Sequence, residues 1–319
     1  MLSTTLLHPL PRTVDVGDLD IDLGHAPVDW DRAVSAAGHA GRLLPGGLHD
    51  ALVDFTDNGE VSGALLIRGL PVGELPLTPQ TPTSATSKFD RISEMVLLTI
   101  ARRLGQPVGY EPELGGELIQ NILPVQGTEA RQISTSSKVE LMFHTEAAFH
   151  PHRPRYLVLL CLRGDRDGIA RTTLSSIRVV SELLPAAVRN VLFEPRFRTA
   201  VDESYLHGAE SYLGDPVAVL SGDLANPTMV FDADLMVGVD IVAEAALRAL
   251  GEATAACHTG VVLTAGDVLV IDNNCVVHGR TPFAPRFDGR DRWLQRTFVV
   301  ADLAPSAAER IGRVINTRF

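Results

Sequence analysis

The first part of the chain carries its apolar residues at helical spacing. Residues 29–59 show it in DWDRAVSAAGHAGRL and again in LHDALVDFTDNG, with a break at Pro45-Gly46-Gly47. Two helices are predicted there, with Asp29 or Asp31 suited to cap the first. ALLIRGLPV (64–72) is a short apolar run closed by Gly and Pro and reads as a strand. TPQTPTSATSKFD (78–90) is polar and proline-bearing, a loop expected to be mobile. RISEMVLLTIARRLGQPVGY (91–110) returns to helical spacing, and its helix should stop at Gly105.

Beyond about residue 115 the pattern shortens. ELIQNILPV, VELMFHTEAAF, RYLVLLCLR, ARTTLSSI, TMVFDAD, GVVLTAGDVLVIDNN and RDRWLQRTFVVADL read as strands between turn signals, interrupted by helical stretches at 179–193 and 237–257. Many short strands with helices outside them predict a mainly β protein, a sandwich or jelly roll with peripheral helices. A parallel α/β sheet is the weaker reading, because strands and helices do not alternate regularly. With no internal repeat and no linker tract, residues 1–319 read as one domain, the helical part at about 28–110 packing on the β core.

Composition narrows the function classes. Apolar residues make up 45% of the 319 and charged residues 21%, which suits a globular core and excludes a disordered chain. A net charge of −11 argues against a passive grip on nucleic acid or an anionic membrane. Cys161, Cys257 and Cys275 are scattered and odd in number, so neither a disulfide framework nor a structural zinc site is expected. The longest apolar run, Tyr156 to Leu162, falls far short of the roughly 20 residues that span a bilayer. MLSTTLLHPLPRT lacks the basic start and long apolar stretch of a leader, so a soluble, cytoplasmic protein is expected.

Three features point to chemistry. In a strand, residues two apart share a face, so His144 and Glu146 of HTE can converge on one metal ion. Such a tripeptide is weak alone, since the same three residues also suit an exposed strand end. His278, after the apolar strand GDVLVIDNN, supplies a possible third ligand. Two histidines and a carboxylate form the facial triad of non-haem iron oxygenases; zinc hydrolases with these ligands commonly use HExxH, which does not occur here. Third, Arg292 and Arg296 fall on one face of RDRWLQRTFVV. Two guanidinium forks could hold two carboxylates, though an edge strand with solubilising arginines fits the local sequence equally well.

HTEAAFHPHRPRYLVLLCLRGD and GDVLVIDNNCVVHGRTPFAPRFDGRDRWLQRTFVV together resemble the clavaminate synthase-like iron(II)/2-oxoglutarate oxygenases, a group that includes asparagine oxygenase and the arginine and enduracididine hydroxylases. The similarity runs from about residue 60 to 300. It implies a double-stranded β-helix (jelly-roll) core, with His144, Glu146 and His278 as catalytic iron ligands. It implies that Arg292 pairs with the distal carboxylate of 2-oxoglutarate and that Thr172 is its hydroxyl partner. Arg296 matches the arginine that receives the substrate α-carboxylate. Gln120 resembles the glutamine near the α-amine, Ser134 the serine near the substrate, and Asp232 and Asp234 the acidic pair that grips a guanidinium.

The implied enzyme is a 2-oxoglutarate-dependent dioxygenase using Fe(II), 2-oxoglutarate and O2. It hydroxylates a free, basic, arginine-like amino acid in specialised, peptide-antibiotic metabolism. Lysine, ornithine or a neutral amino acid, desaturation or cyclisation, and a non-catalytic jelly-roll binding protein are the alternatives. A halogenase would lack the carboxylate ligand, and Glu146 argues against it. Residues 203–228, mixing Gly, Pro, Ser and Asp with isolated apolar positions, are expected to form a mobile cover. Arg280 and Arg286 read as braces of the loop after His278, and Asp267 and Asp272 as turn or ligand-supporting residues.

Overall fold

A computed structural model describes every residue except 1–6, 18–22, 28, 84–87, 203–204 and 207–209. The chain runs β1 (Arg12–Asp15), α1 (Trp30–Ala40), α2 (Gly46–Asp57), β2 (Ala64–Arg68), α3 (Ile92–Leu104), β3 (Gln106–Tyr110), β4 (Gln120–Ile122), β5 (Leu141–His144), β6 (Tyr156–Arg163) and β7 (Thr172–Ser176). There follow α4 (Ile177–Val180), α5 (Ala186–Leu192), β8 (Phe197–Thr199), β9 (Leu220–Gly222), β10 (Pro227–Met229), β11 (Met236–Gly238) and α6 (Ile241–Ala256). The last part holds β12 (Thr259–Val261), β13 (Val268–Asp272), β14 (Val276–Arg280), β15 (Trp293–Val300), β16 (Arg310–Ile311) and β17 (Val314–Ile315).

Two sheets build the core. The larger has the order β1-β2-β13-β6-β15-β3-β17-β16, with β4 also on β15; the smaller is β12-β7-β14-β5. The long ladders β13–β6, β15–β6 and β14–β7 are all antiparallel, which fits the jelly roll and not the parallel α/β reading. The larger sheet is covered on both faces. Along β6, Leu157, Leu159 and Cys161 join the core shared with the smaller sheet, while Val158, Leu160 and Leu162 join the core under α1, α2 and α3. That double burial explains why YLVLLCL has no polar alternation.

Local rules set the element ends. Asp29 caps α1, its carboxylate accepting from the Arg32 N–H at 2.8 Å. The helix over 92–104 stops before Gly105, where a side chain would press within 2.4 Å of the Val300 carbonyl oxygen, so only glycine lets the chain turn onto β15. Three strand predictions need correcting. GVVLTAGDVLVIDNN is two strands in different sheets, β12 and β13. TMVFDAD is strand only as far as Met229; Asp232 makes an isolated bridge to His144 and then enters a turn. VELMFHTEAAF is strand only at Leu141–His144, and Glu146 lies in the turn that follows. Of the cover expected at 203–228, residues 203–204 and 207–209 lie outside the described residues; Tyr205 and Leu206 are buried, and β9 and β10 form a short hairpin.

Candidate active site

A cavity of about 470 Å³ lies between the two sheets, and every residue singled out in the sequence lines it: His144, Glu146, His278, Arg292, Thr172, Arg296, Gln120, Ser134, Asp232 and Asp234. His144 and His278 are direct cross-strand partners in β5 and β14, their rings 4.4 Å apart. Gly279 makes this approach possible, since a side chain there would meet the Leu141 carbonyl oxygen at 2.4 Å.

Glu146 reaches the same point by another route than strand alternation. A turn follows His144, with Ala147 at a φ of 51°, a left-handed conformation that costs free energy unless the surroundings impose it. Asn273 helps to impose it. Its side chain accepts from the Glu146 N–H at 2.8 Å and donates to the Glu146 carbonyl at 3.1 Å and the Pro154 carbonyl at 2.9 Å. Sequence reasoning missed Asn273, because an Asn after a strand signals a turn more often than a clamp. Asp272 instead pairs with Arg155 at 3.1 Å, and Asp267 accepts from the Thr264 N–H and hydroxyl.

One donor atom from each of His144, Glu146 and His278 lies within 4.8 Å of the others. His144 Nδ1 is 2.8 Å from the Met142 carbonyl; a carbonyl only accepts, so the proton sits on Nδ1 and Nε2 keeps its lone pair. His278 Nδ1 is buried without a hydrogen-bond partner, and His278 Nε2 lies 3.5 Å from the Glu146 carboxylate. Burial and the neighbouring His144 lower the His278 pKa to about 4. Burial works to raise that of Glu146, but Arg296, His278 and His144 outweigh it and hold it at about 2. Two neutral imidazoles and an ionised carboxylate are the donor set of a mononuclear iron(II) centre with open coordination positions, and these side chains fit it.

At one end of the cavity, Arg292 stands immediately before β15, 6% exposed. Burial lowers its pKa, and among the described residues it makes no ion pair. Thr172 opens β7 on the opposite sheet.

At the other end, Arg296 is heavily engaged. Its Nη2 donates to Glu113 at 2.6 Å, its Nε to the Gln120 amide oxygen at 2.7 Å, and its Nη1 lies 3.4 Å from both Glu146 oxygens. Tyr205 donates to the other Glu113 oxygen at 2.8 Å. Burial raises the Glu113 pKa, Arg296 pulls it back, and the Glu146 charge adds to the rise. Glu113 was missed because EPELGGE reads as an ordinary polar turn. Gln295, on the opposite face of β15, donates to Glu94 on α3 at 3.0 Å.

The acidic wall is partly structural. One Asp232 oxygen accepts from the Asp234 and Leu235 N–H groups at 2.9 and 2.8 Å, which fixes the turn. Asp232 is buried and Asp234 exposed; Asp202 lines the cavity as a further carboxylate. Ser134 is partly buried, and its carbonyl accepts from Arg280 Nη1 at 3.4 Å. Arg286 binds Asp167 at the surface, whereas Arg280 lines the cavity and holds residues 134–139, away from the loop assigned to it.

Facing antiparallel sheets with a two-histidine, one-carboxylate cluster between them define a mononuclear non-haem dioxygenase. The model of the family "Taurine catabolism dioxygenase TauD, TfdA family" matches residues 45–298, and the chain belongs to that family. It is 40% identical to the L-asparagine oxygenase of Streptomyces coelicolor over 88% of this chain and 83% of the relative. It is 38% identical to the L-lysine 3-hydroxylase of Catenulispora acidiphila over 94% and 85%. An asparagine oxygenase solved with Fe(II), 2S,3S-3-hydroxyasparagine and succinate superposes with a TM-score of 0.87 at 35% identity, covering 96% of this chain and 99% of that one. The oxygenase OrfP with (3S)-hydroxy-L-Arg gives 0.84 at 31% identity, covering 95% and 99%.

Proposed function

We propose that this protein is an iron(II)- and 2-oxoglutarate-dependent hydroxylase of a free amino acid with a basic, arginine-like side chain, acting at C3 in specialised metabolism. His144, Glu146 and His278 hold the metal. When bound, the iron centre supplies oxygen activation coupled to oxidative decarboxylation of the 2-oxo acid to succinate. Arg292 receives the distal carboxylate of 2-oxoglutarate, with the Thr172 hydroxyl beside it.

The observation that carries the substrate reading is the Arg296–Glu113 pair. Arg296 already has a carboxylate at 2.6 Å, so a lone anion arriving there meets a filled, repelling site. A zwitterion does not. Its carboxylate takes Arg296, and its ammonium takes Glu113 and the Gln120 amide region. Because Arg296 also lies 3.4 Å from Glu146, the α-carbon is anchored beside a metal ligand, which puts the next carbon along the side chain nearest the metal. Asp232, Asp234 and Asp202 face the side chain, and a planar guanidinium satisfies several carboxylates by paired charge-assisted hydrogen bonds. Ser134 lines the same end. The −11 net charge and the absence, among the described residues, of a helix long and apolar enough to cross a membrane fit a cytoplasmic enzyme of small molecules.

The test is succinate release with iron(II), ascorbate and 2-oxoglutarate across free amino acids, followed by mass analysis. Arginine or a chain-altered relative is expected to drive succinate formation and gain one oxygen at C3. Turnover of asparagine or leucine with none on arginine, lysine or ornithine would reject the basic-substrate reading.

A further inference from the structure

Arg280 turns its guanidinium into the same cavity, two residues along β14 from His278 and therefore on the same face. In register it stands opposite Thr172 on β7. Its hydrogen bonds all go to uncharged oxygens: Ser136 Oγ at 2.9 Å and the carbonyls of Val139, Thr281 and Ser134 at 3.2, 3.3 and 3.4 Å. Its guanidinium carbon lies 5.2 Å from the centre of the Phe283 ring, and that of Arg292 lies 6.0 Å from the same ring. Arg280 is 4% exposed, Arg292 6%, and among the described residues neither has a carboxylate partner.

Two buried guanidinium groups on one aromatic ring repel each other, and neutral hydrogen bonds replace lost hydration without cancelling charge. A buried charge of this kind is tolerated when an opposite charge arrives with a ligand. We propose that Arg280 is a second cation of the cosubstrate end: together with Arg292 it selects a 2-oxo acid that ends in a carboxylate over one that ends in a methyl group. The inference rests on the assignment of Arg292 to the distal carboxylate. It adds a specificity residue that acts through its charge and is distinct from the loop-holding role its hydrogen bonds already give it.

Arg280→Lys and Arg280→Gln separate the two roles, since lysine keeps the charge and loses the fork, while glutamine loses the charge and keeps part of the hydrogen bonding. Anaerobic calorimetric titration of 2-oxoglutarate, and of 2-oxopentanoate as the methyl-ended control, into the iron(II)-loaded protein gives affinities independent of turnover. Arg280→Gln is expected to weaken 2-oxoglutarate at least tenfold and 2-oxopentanoate less than threefold, with Arg280→Lys restoring 2-oxoglutarate to within threefold. Equal loss of both 2-oxo acids, no loss of either, or failure of lysine to restore would overturn the proposal. Arg292→Gln, titrated in parallel, keeps the readings apart. If it leaves 2-oxoglutarate affinity unchanged, the cosubstrate end itself is misassigned and the Arg280 proposal falls with it. If it weakens 2-oxoglutarate while Arg280→Gln does not, only the Arg280 proposal fails.

Discussion

Arg292 and Arg296 sit four residues apart on β15 or at its entrance, yet their surroundings are opposite in charge. Arg292 shares a ring with Arg280 and has no carboxylate among the described residues, whereas Arg296 has Glu113 at 2.6 Å and Glu146 at 3.4 Å. A buried arginine without a counter-ion is suited to an anion that brings no cation of its own. An arginine already paired suits an anion that carries its own cation, so that the resident carboxylate is paired again after exchange. One cavity thus sorts two carboxylate-bearing small molecules by what accompanies the carboxylate, with the metal cluster between them. Guanidinium groups alone do not distinguish the ends; the acids around them do.

The largest effect tests the centre that both ends share. His144→Ala and His278→Ala are each expected to abolish metal binding, read by metal content after dialysis, together with all succinate release; either variant at full activity would remove the basis for the comparison. Next comes a substrate amputated at the paired end. Agmatine, arginine without its α-carboxylate, leaves Arg296 and Glu113 bound to each other. Loss of a buried charge pair is worth about 2–5 kcal/mol, so a kcat/KM reduced roughly hundredfold is expected. Comparable turnover of agmatine would show that the pair is purely structural.

A smaller effect is expected at the acidic wall. Replacing Asp232 and Asp234 together with Asn removes charge-assisted hydrogen bonds worth about 1.5–3 kcal/mol, some ten- to hundredfold in kcat/KM on arginine. A neutral amino acid that is turned over at all should lose little. Because Asp232 also holds its own turn, the melting temperature of this variant has to be followed beside its kinetics.

The smallest effect concerns pH. In the metal-free protein His278 and His150 are lowered by burial from 6.5 to about 4 and about 3. Below 6.5 the unfolded chain binds protons that the folded chain refuses, so stability falls as pH drops from 6.5 toward 3 to 4 and is fully present above that window. Glu146, held at about 2, extends the loss below its ordinary value of 4.5. Chemical denaturation of metal-free protein at stepped pH checks this; constant stability from pH 7 to 4 would contradict it.

How much of this was legible beforehand depended on distance along the chain. The helices over 30–57 and 92–104 and the strands β2, β6 and β15 could be read because their periodicity and their Gly or Pro stops are local. His278 and Arg292 could be singled out because they border apolar strands. The route by which Glu146 meets the histidines was misread, since a turn with a left-handed Ala147 replaces the strand, and no residue type announces φ > 0 at an alanine. Glu113 and Asn273 were missed for a related reason. Each acts on a residue more than 120 positions away, and what marks them is the partner, not the local pattern. Asp232 was legible as an acid beside the site but not as the residue that caps its own turn.

The opposition between the two arginine environments is tested most directly by neutralising one member of each, Arg292→Gln and Glu113→Gln, and measuring both KM values in each variant with arginine as the amino acid. Arg292→Gln is expected to raise the KM for 2-oxoglutarate by about thirtyfold or more, the lower range for a buried charge pair, and to leave that for the amino acid within threefold. Glu113→Gln is expected to do the reverse. If either variant moves both constants together, or if Arg292→Gln moves the amino-acid constant alone, the two ends do not divide the carboxylates in this way.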